Sequence, residues 1–194
     1  YNPCNLELFY NPTQDRTTVR NALGIPNDAY VIGNVGRFVY AKNHELIVKV
    51  FHECYRANRK VYLLLIGSGE RLEAVREEIK AEIPEDHFQI LSERKDIPEL
   101  DNAMNVFFFP SRFEGFPVAL IEAQAAGLKC VISDTIPEEA IVSENVCRLS
   151  LNDNVEKWCN ALLNDNADYA RPFQSITCCS LRNVIGCLEK MYER

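Results

Sequence analysis

The sequence lacks the features that would assign it to a membrane, an export route or a nucleic acid. No apolar run approaches the roughly 20 residues of a bilayer-spanning helix. The start, YNPCNLELFYNP, has no basic flank followed by an apolar core and is no signal peptide, and without an initiator methionine we expect it to continue a longer chain. With 21 Lys and Arg against 28 Asp and Glu, the net charge of −7 argues against a nucleic-acid binder. A nucleotide, however, needs only one or two well-placed cations.

Metal-ligand and catalytic-triad spacings are also missing. The eight cysteines form no CxxC pair and no Cys/His cluster of zinc spacing, so we interpret them as reduced, mostly buried thiols of a cytosolic protein. The three histidines are too scattered to suggest a Ser-His-Asp or Cys-His arrangement. The turn with Gly67 and Gly69 lacks the third glycine of the dinucleotide fingerprint and the acidic residue about 20 positions later, which disfavours an NAD-dependent oxidoreductase.

What is present is the composition and pattern of an α/β domain. Apolar residues make up 47% and charged residues 25% of 194 residues, enough for one domain with a full core. From residue 30 onward, short apolar runs alternate with amphipathic segments. Strands are predicted at 30–36, 61–67, 87–91, 105–110, 128–133 and 146–150. Helices are predicted at 18–23, 43–58, 70–82, 96–103, from about 116 to 126, and at 154–164 and 175–193. This alternation predicts a doubly wound parallel sheet of about six strands with helices on both faces.

Parallel sheets of this kind bind ligands at the carboxyl ends of their strands, near the point where the strand order reverses. Glycines, polar residues and one proline gather at these predicted ends. They are Gly33, Gly36 and Arg37, then Gly67 and Gly69, Arg94 and Asp96, Ser111, Glu114 and Gly115, and finally Ser133, Asp134 and Pro137. The pattern therefore predicts a binding site at this edge of the sheet.

The loop after the first strand offers two cations. Gly36 lets the backbone approach a ligand, and Arg37 and Lys42 stand five positions apart. Arginine presents a rigid fork to phosphate oxygens, and lysine a compact charge. The alternative interpretation is a pair of solvated surface cations.

The loop and helix after the fourth strand offer two carboxylates, Glu114 and Glu122, eight positions apart. Pro117 is expected in the first turn of a helix that begins near Phe116. The N–H groups left free at this helix start, which favour an anion, are those of Gly115, Phe116 and Val118. Glu114 could merely complement the helix dipole and Glu122 could merely face solvent. However, the helix is apolar around most of its circumference, and a buried charge needs a partner or a function.

Taken together, these residues resemble the retaining glycosyltransferases of family 4, specifically the nucleotide-sugar-binding C-terminal half of their two-domain GT-B fold. Three motifs carry the resemblance: the G-R-x4-K loop at Gly36, Arg37 and Lys42, the L-x-G-x-G turn at Leu65, Gly67 and Gly69, and the E-x7-E pattern at Glu114 and Glu122. Residues 1–9 resemble the inter-domain linker, although Asn5 stands where an aspartate is usual, and Leu188 and Tyr192 fall in a region similar to the family's final helix.

The resemblance implies a division of the chain and a role for each site residue. Residues 1–29 are expected to be a linker with a short helix, 30–174 a Rossmann-like donor-binding domain, and 175–194 a helix that packs back toward an N-terminal domain. The expected catalytic residues are Arg37, Lys42 and Glu114. The expected donor-binding residues are Gly36, Arg37, Lys42, Gly67, Arg94, Glu114, Gly115, Phe116, Val118 and Glu122.

In this scheme Arg37 and Lys42 hold the diphosphate and stabilise the charge that grows on it as the glycosidic bond breaks. Glu122 accepts hydrogen bonds from the ribose, Glu114 binds hydroxyls of the transferred sugar, and the loop near Arg94 lies against the base. The resemblance implies that no metal and no cofactor are needed, since the two cations replace the metal. It also implies that the configuration at the anomeric carbon is retained.

The implied protein is a hexosyltransferase of cell-surface polysaccharide synthesis. It would take a nucleotide-diphosphate sugar and a saccharide or lipid-linked acceptor, the latter reached through an N-terminal domain. We expect a cytoplasmic location, with peripheral association at the inner face of the membrane allowed. Residues 1–194 alone are expected to bind nucleotide but transfer little or no sugar. A nucleotide-sugar 2-epimerase or a glycogen-synthase-like enzyme of the same fold, and a non-catalytic nucleotide-binding module, are the alternatives. The nucleobase, sugar and acceptor are left open.

Overall fold

The computed structural model describes residues 7–164 as one parallel sheet between two layers of helices. The strands are β1 (Tyr30–Val35), β2 (Val61–Ile66), β3 (Phe88–Leu91), β4 (Val106–Phe109), β5 (Lys129–Ser133) and β6 (Val146–Leu149). The helices are α1 (Glu7–Tyr10), α2 (Arg16–Leu23), α3 (His44–Ala57), α4 (Leu72–Lys80), α5 (Ile97–Ala103), α6 (Val118–Ala125) and α7 (Val155–Leu163). The six predicted strands are confirmed, with ends shifted by a residue or so. The predicted helix at 175–193 and the first residues of the predicted linker lie outside the described residues.

The strand order creates the crevice that such sheets use for ligands. All strands are parallel in the order β3-β2-β1-β4-β5-β6. The chain builds outward from β1 to β3, then returns to the other side of β1 to add β4, β5 and β6. The direction in which successive strands are added to the sheet therefore reverses between β1 and β4. These two strands pair at Ile32 with Val106 and at Gly33 with Phe107. A ligand is expected beyond the carboxyl ends of these two strands.

Burial on both faces explains the continuous apolar runs of the sequence. Every residue of β2 is buried, as expected for a parallel strand covered on both sides. Because side chains alternate along a strand, Leu63 and Leu65 pack in one core layer with residues of α3, α4 and α7. Tyr62 and Leu64 pack in the other layer with residues of α2, α5 and α6. The predicted helices on both faces are thereby confirmed.

The segment before β1 packs against the same core. Asp15 caps α2 by accepting a hydrogen bond from the Thr18 N–H at 3.0 Å, so the helix begins two residues before the predicted start. Arg20 is buried and donates to the Ala103 carbonyl and to Asn105 Oδ1, at 2.9 and 2.7 Å. These bonds fasten α2 to the end of α5. The role of residues 1–29 as an inter-domain linker stays a prediction.

Helix α6 corrects the expected start of the glutamate-bearing helix. Pro117 has φ −84° and ψ 76°, outside the helical region, so α6 begins at Val118 and not near Phe116. The Val118 N–H donates to the Phe116 carbonyl at 3.0 Å. The prediction that the Val118 N–H is free to bind an anion was therefore wrong. The helix ends as predicted before Gly127, whose φ is 72°.

Candidate functional site

A cleft of about 360 Å³ opens at the carboxyl edge of the sheet, between the loops after β1, β2 and β3 and the first turns of α6. Its lining residues are Val35, Gly36, Arg37, Ile66, Gly67, Ser68, Glu93, Arg94, Ile97, Val118, Ala119 and Glu122. The sequence had singled out six of them for donor binding: Gly36, Arg37, Gly67, Arg94, Val118 and Glu122. Residues from widely separated segments thus meet at the edge where the strand order reverses.

Close backbone contact between the first two loops shapes the cleft. Gly67 has φ 149°, and a Cβ atom there would lie 2.0 Å from the Gly36 carbonyl oxygen. Gly69 has φ 150°, and a Cβ there would lie 2.6 Å from the Phe38 carbonyl oxygen. Gly36 in turn lies against the side chain of Lys42, whose nearest carbons would be 3.4 Å from an added Cβ. The two loops can approach this closely because positions 67 and 69 are glycine.

Beside the cleft, Lys42 and Glu114 form an ion pair. The Lys42 Nζ donates to Glu114 Oε1 at 2.7 Å, with both side chains largely buried. The same Nζ lies 4.6 Å from the centre of the Phe109 ring. Asn43, at a left-handed φ of 56°, ends the turn that carries Lys42 and donates through Nδ2 to the Pro110 carbonyl at 3.0 Å. Two predicted catalytic residues are thus brought together, although neither lines the cleft.

The remaining predicted residues of this loop, Gly115 and Phe116, lie next to Glu114 in sequence and are also outside the lining of the cleft. A Cβ added at Gly115 would have no heavy atom within 4 Å. The space around this position is therefore open, unlike that around Gly67.

Glu122 lies on α6, lines the cleft, and is only 3% exposed. A second carboxyl group, Asp101 on α5, is completely buried, and neither of its oxygens has a hydrogen-bond partner within residues 7–164. Burial, and then the charge of Glu122, raise the pKa of Asp101 well above its ordinary value. Burial and Asp101 together also raise the pKa of the Cys130 thiol. Asp101 is therefore an acid whose neutral form the fold favours, near the carboxylate of the cleft.

Sequence reasoning missed Asp101. The only signal was an aspartate that directly follows Leu100 in the short helix predicted at 96–103.

Next to the loop after β3, the cleft combines an apolar wall with a polar edge. Arg94 donates from Nε to Asp96 Oδ1 at 2.8 Å, and this hydrogen bonding lowers the pKa of Asp96. Ser68 Oγ donates to Glu93 Oε1 at 2.6 Å. The apolar wall is formed by Val35, Ile66, Ile97 and Ala119. Sequence reasoning missed it because apolar residues at the ends of strands and helices resemble ordinary core residues. Apolar walls with a few polar groups are typical of small-molecule sites.

His44, at the start of α3, is buried close to these loops. Its ring stacks on Phe38 with centroids 4.2 Å apart, and neither ring nitrogen has a hydrogen-bond partner in the described part of the chain. Burial, followed by the charges of Arg71 and Lys42, lowers the pKa of His44 to about 4. The imidazole is therefore neutral at neutral pH.

Residues 7–164 contain neither a metal-ligand cluster nor a helix that could span a bilayer. No three His, Cys, Asp or Glu side chains are grouped so that they could hold a metal ion. No helix there combines the length and the apolar character that crossing a bilayer requires.

The family model described as "Glycosyl transferases group 1" matches residues 15–170. The chain belongs to this family. EpsF of Bacillus subtilis (strain 168), which bears a glycosyltransferase name, is 35% identical over 162 residues, covering 83% of this chain and 42% of that protein.

A second curated relative of this chain is the UDP-Gal:alpha-D-GlcNAc-diphosphoundecaprenol alpha-1,3-galactosyltransferase of Escherichia coli. It is 26% identical over 182 residues, covering 91% of this chain and 47% of the relative. The chain thus spans about half the length of these relatives.

Solved structures share the fold of this chain. Anabaena Alr3699/HepE, in complex with UDP and glucose, superposes with a TM-score of 0.79 at 18% identity, covering 97% of this chain and 53% of that one. The C-terminal domain of LpcC from Francisella tularensis gives a TM-score of 0.69 at 18% identity, covering 93% and 96%. The predicted Rossmann-like half of a GT-B fold is confirmed.

Proposed function

We propose that this chain binds a nucleotide-diphosphate sugar and is the donor-binding half of a retaining, family 4 glycosyltransferase. The observation that carries the proposal is the cleft at the β1/β4 reversal, where Gly36, Arg37, Arg94 and Glu122 line one space of about 360 Å³. This volume falls within the range of about 300–1,000 Å³ that is usual for small-molecule sites.

We further propose a uridine nucleotide as the donor. The HepE structure contains UDP and glucose, and the Escherichia coli relative is named for UDP-Gal and a diphosphoundecaprenol acceptor. These properties belong to those proteins, and they support the choice of UDP-sugar here. They also support a saccharide or lipid-linked acceptor for the longer enzyme, in cell-surface polysaccharide synthesis. Its location at the cytoplasmic face of a membrane stays a prediction.

In the proposed complex, Arg37 donates to the diphosphate oxygens, because a guanidinium fork fits phosphate with two hydrogen bonds. Lys42 supplies the second cation. It is paired with Glu114 at 2.7 Å, so the incoming phosphate shares or replaces that partner. Stronger contacts from both cations as negative charge develops on the leaving diphosphate would lower the barrier to breaking the glycosidic bond.

The carboxylates then have separate tasks in the proposal. Glu122 is almost completely buried on α6 and accepts hydrogen bonds from the ribose hydroxyls. Glu114 accepts hydrogen bonds from the transferred sugar once Lys42 turns to the phosphate. The apolar side chains of Ile66 and Ile97, which line the cleft, flank the base.

Calorimetric titration with UDP and GDP tests the proposal. We expect Arg37→Ala to weaken binding by about 1–3 kcal/mol, the range for charge-assisted hydrogen bonds. The matched control is Arg59→Ala, an exposed arginine that stacks on Tyr55 away from the cleft, and its affinity should match the wild type. Unchanged affinity in Arg37→Ala, or equal losses in both variants, would remove Arg37 from the phosphate site.

A thermal-shift panel of UDP, GDP, ADP and their sugars decides the donor class. A larger rise in the unfolding midpoint with uridine nucleotides is expected, since a ligand that binds only the folded state stabilises it. A larger shift with GDP or ADP would overturn the choice of uridine but not the donor site.

A further inference from the structure

Two large aromatic side chains are exposed beside the Lys42–Glu114 pair. Tyr40 is 59% exposed and Phe113 is 60% exposed. Tyr40 lies two residues before Lys42, and Phe113 directly precedes Glu114. Among residues 7–164, the other exposed large apolar side chain is Leu8, which is 45% exposed. Two exposed rings on adjacent loops beside a polar site are more informative than isolated apolar residues.

Arg112 holds these two loops together. Its backbone N–H donates to the Ala41 carbonyl at 2.7 Å, and its Nη1 donates to the Tyr40 carbonyl at 2.7 Å. The guanidinium carbon lies 4.1 Å from the centre of the Tyr40 ring, and Nη2 donates to Glu45 Oε2 at 2.8 Å. Tyr40 is therefore supported on one side by a stacked cation, and Phe113 follows directly from the residue that makes these contacts. The two loops that carry the exposed rings are thereby joined.

This combination of groups matches the chemistry of a saccharide. A pyranose ring presents a face of C–H bonds and a rim of hydroxyl groups. Aromatic faces cover the first by dispersion and burial, and charged side chains hydrogen-bond the second. Tyr40 and Phe113 supply the faces, while Arg112, Lys42 and Glu114 stand around them.

The position of the rings identifies which saccharide they would meet. In the proposed function, the sugar to be transferred lies at Glu114. The acceptor hydroxyl must come within about 3–3.5 Å of the reacting carbon of that sugar, so the acceptor has to occupy the surface next to Glu114. Phe113 adjoins Glu114 in the chain, and Tyr40 is joined to the same loop through Arg112.

We propose that Tyr40 and Phe113, positioned by Arg112, form an acceptor-side platform on which a sugar residue of the acceptor stacks. The inference rests on the proposed function, because the donor sugar at Glu114 defines where the acceptor lies. It assigns part of acceptor recognition to this chain, in addition to the domain expected to precede it.

Saturation-transfer NMR tests the platform, with the methyl glycosides of glucose, galactose and N-acetylglucosamine as probes and UDP present. The UDP signal serves as an internal reference for donor binding. We expect at least one glycoside to receive saturation on its ring protons. Its signal relative to UDP should fall at least threefold in Tyr40→Ala and in Phe113→Ala. Tyr40→Phe keeps the ring and should keep the signal, and Leu8→Ala is the matched control for removing an exposed apolar side chain.

The outcomes separate this inference from the proposed function. A UDP signal without any glycoside signal, or a glycoside signal that both alanine variants retain, overturns the platform and leaves the donor site intact. Absence of the UDP signal overturns the proposed function, and the acceptor assignment with it. The last experiment measures whether the chain co-sediments with phosphatidylglycerol vesicles. Co-sedimentation that both variants lose, with no glycoside signal, would assign the rings to a lipid surface and overturn the saccharide platform.

Discussion

The two faces of the sheet each bury an ionisable side chain without a hydrogen-bond partner in the described part of the chain, but the two groups have opposite chemistry. His44 lies on the α3 face, near the positive charges of Lys42 and Arg71, and its pKa is lowered to about 4. Asp101 lies on the α5 and α6 face, near the negative charge of Glu122, and its pKa is raised. Burial disfavours the charged form of both groups.

The comparison shows that burial disfavours additional charge on either side of the cleft. Each buried group is a potential charge of the same sign as its charged neighbour in or beside the cleft. Because the fold favours the neutral form of both groups, burial works against adding a like charge to the cations of the β1 loop or to the carboxylate on α6. The cost is a stability that depends on pH in opposite directions on the two faces.

The largest predicted effect on stability concerns the close contact between the loop after β1 and the loop after β2. In Gly67→Ala, the new Cβ would meet the Gly36 carbonyl oxygen at 2.0 Å with φ at 149°, so we expect a loss of about 3 kcal/mol or more in the free energy of unfolding. Gly115→Ala is the matched control, because its Cβ meets no atom within 4 Å, and it should change stability by less than about 0.5 kcal/mol. Urea denaturation measures both, and similar losses would contradict the contrast.

The next effect tests the α3 face. Because the pKa of His44 is lowered from 6.5 to about 4, its contribution to stability is complete above pH 6.5 and is lost as the pH falls toward 4. The expected loss is about 3 kcal/mol. His44→Phe keeps an aromatic ring against Phe38 but binds no proton, so its unfolding free energy should fall by about that much less between pH 7 and pH 4. Parallel pH curves for the two proteins would show that His44 is not the group that titrates.

The smallest effect tests the opposite face and should have the opposite sign. Because the pKa of Asp101 is raised above 3.8, its neutral form is favoured in the fold, and stability is lost as the pH rises from about 4 toward the raised pKa. Asp101→Asn cannot ionise, so it should gain at least about 1 kcal/mol over the wild type between pH 5 and pH 8. Denaturant titration at both pH values measures this gain.

Asp96→Asn provides the control for that measurement. The pKa of Asp96 is lowered by its hydrogen bonds with Arg94, so the same substitution there should give no such gain. A gain of similar size in both variants would mean that burial of Asp101 is not its cause.

Much of the fold could be predicted because burial on both faces leaves a local trace. A strand such as VYLLLI has no polar position, whereas the helices that cover it are amphipathic, so type and order follow from the sequence. The motif glycines could also be placed, because the close contact at Gly67 admits no side chain. Pro117 shows the limit, since proline fits both inside and just before a first helical turn, and only the structure placed it outside.

The sequence by itself determined the sheet, its carboxyl edge and the residues that gather there, because these follow from periodicity and from backbone requirements within short segments. Only the tertiary structure decided which side chains meet. Lys42 and Glu114 pair across 72 positions, and Asp101 lies near Glu122 with no hydrogen-bond partner within residues 7–164. Such contacts depend on strand order and on how two helices pack, and their energies come from removing charges from water, which no local pattern records.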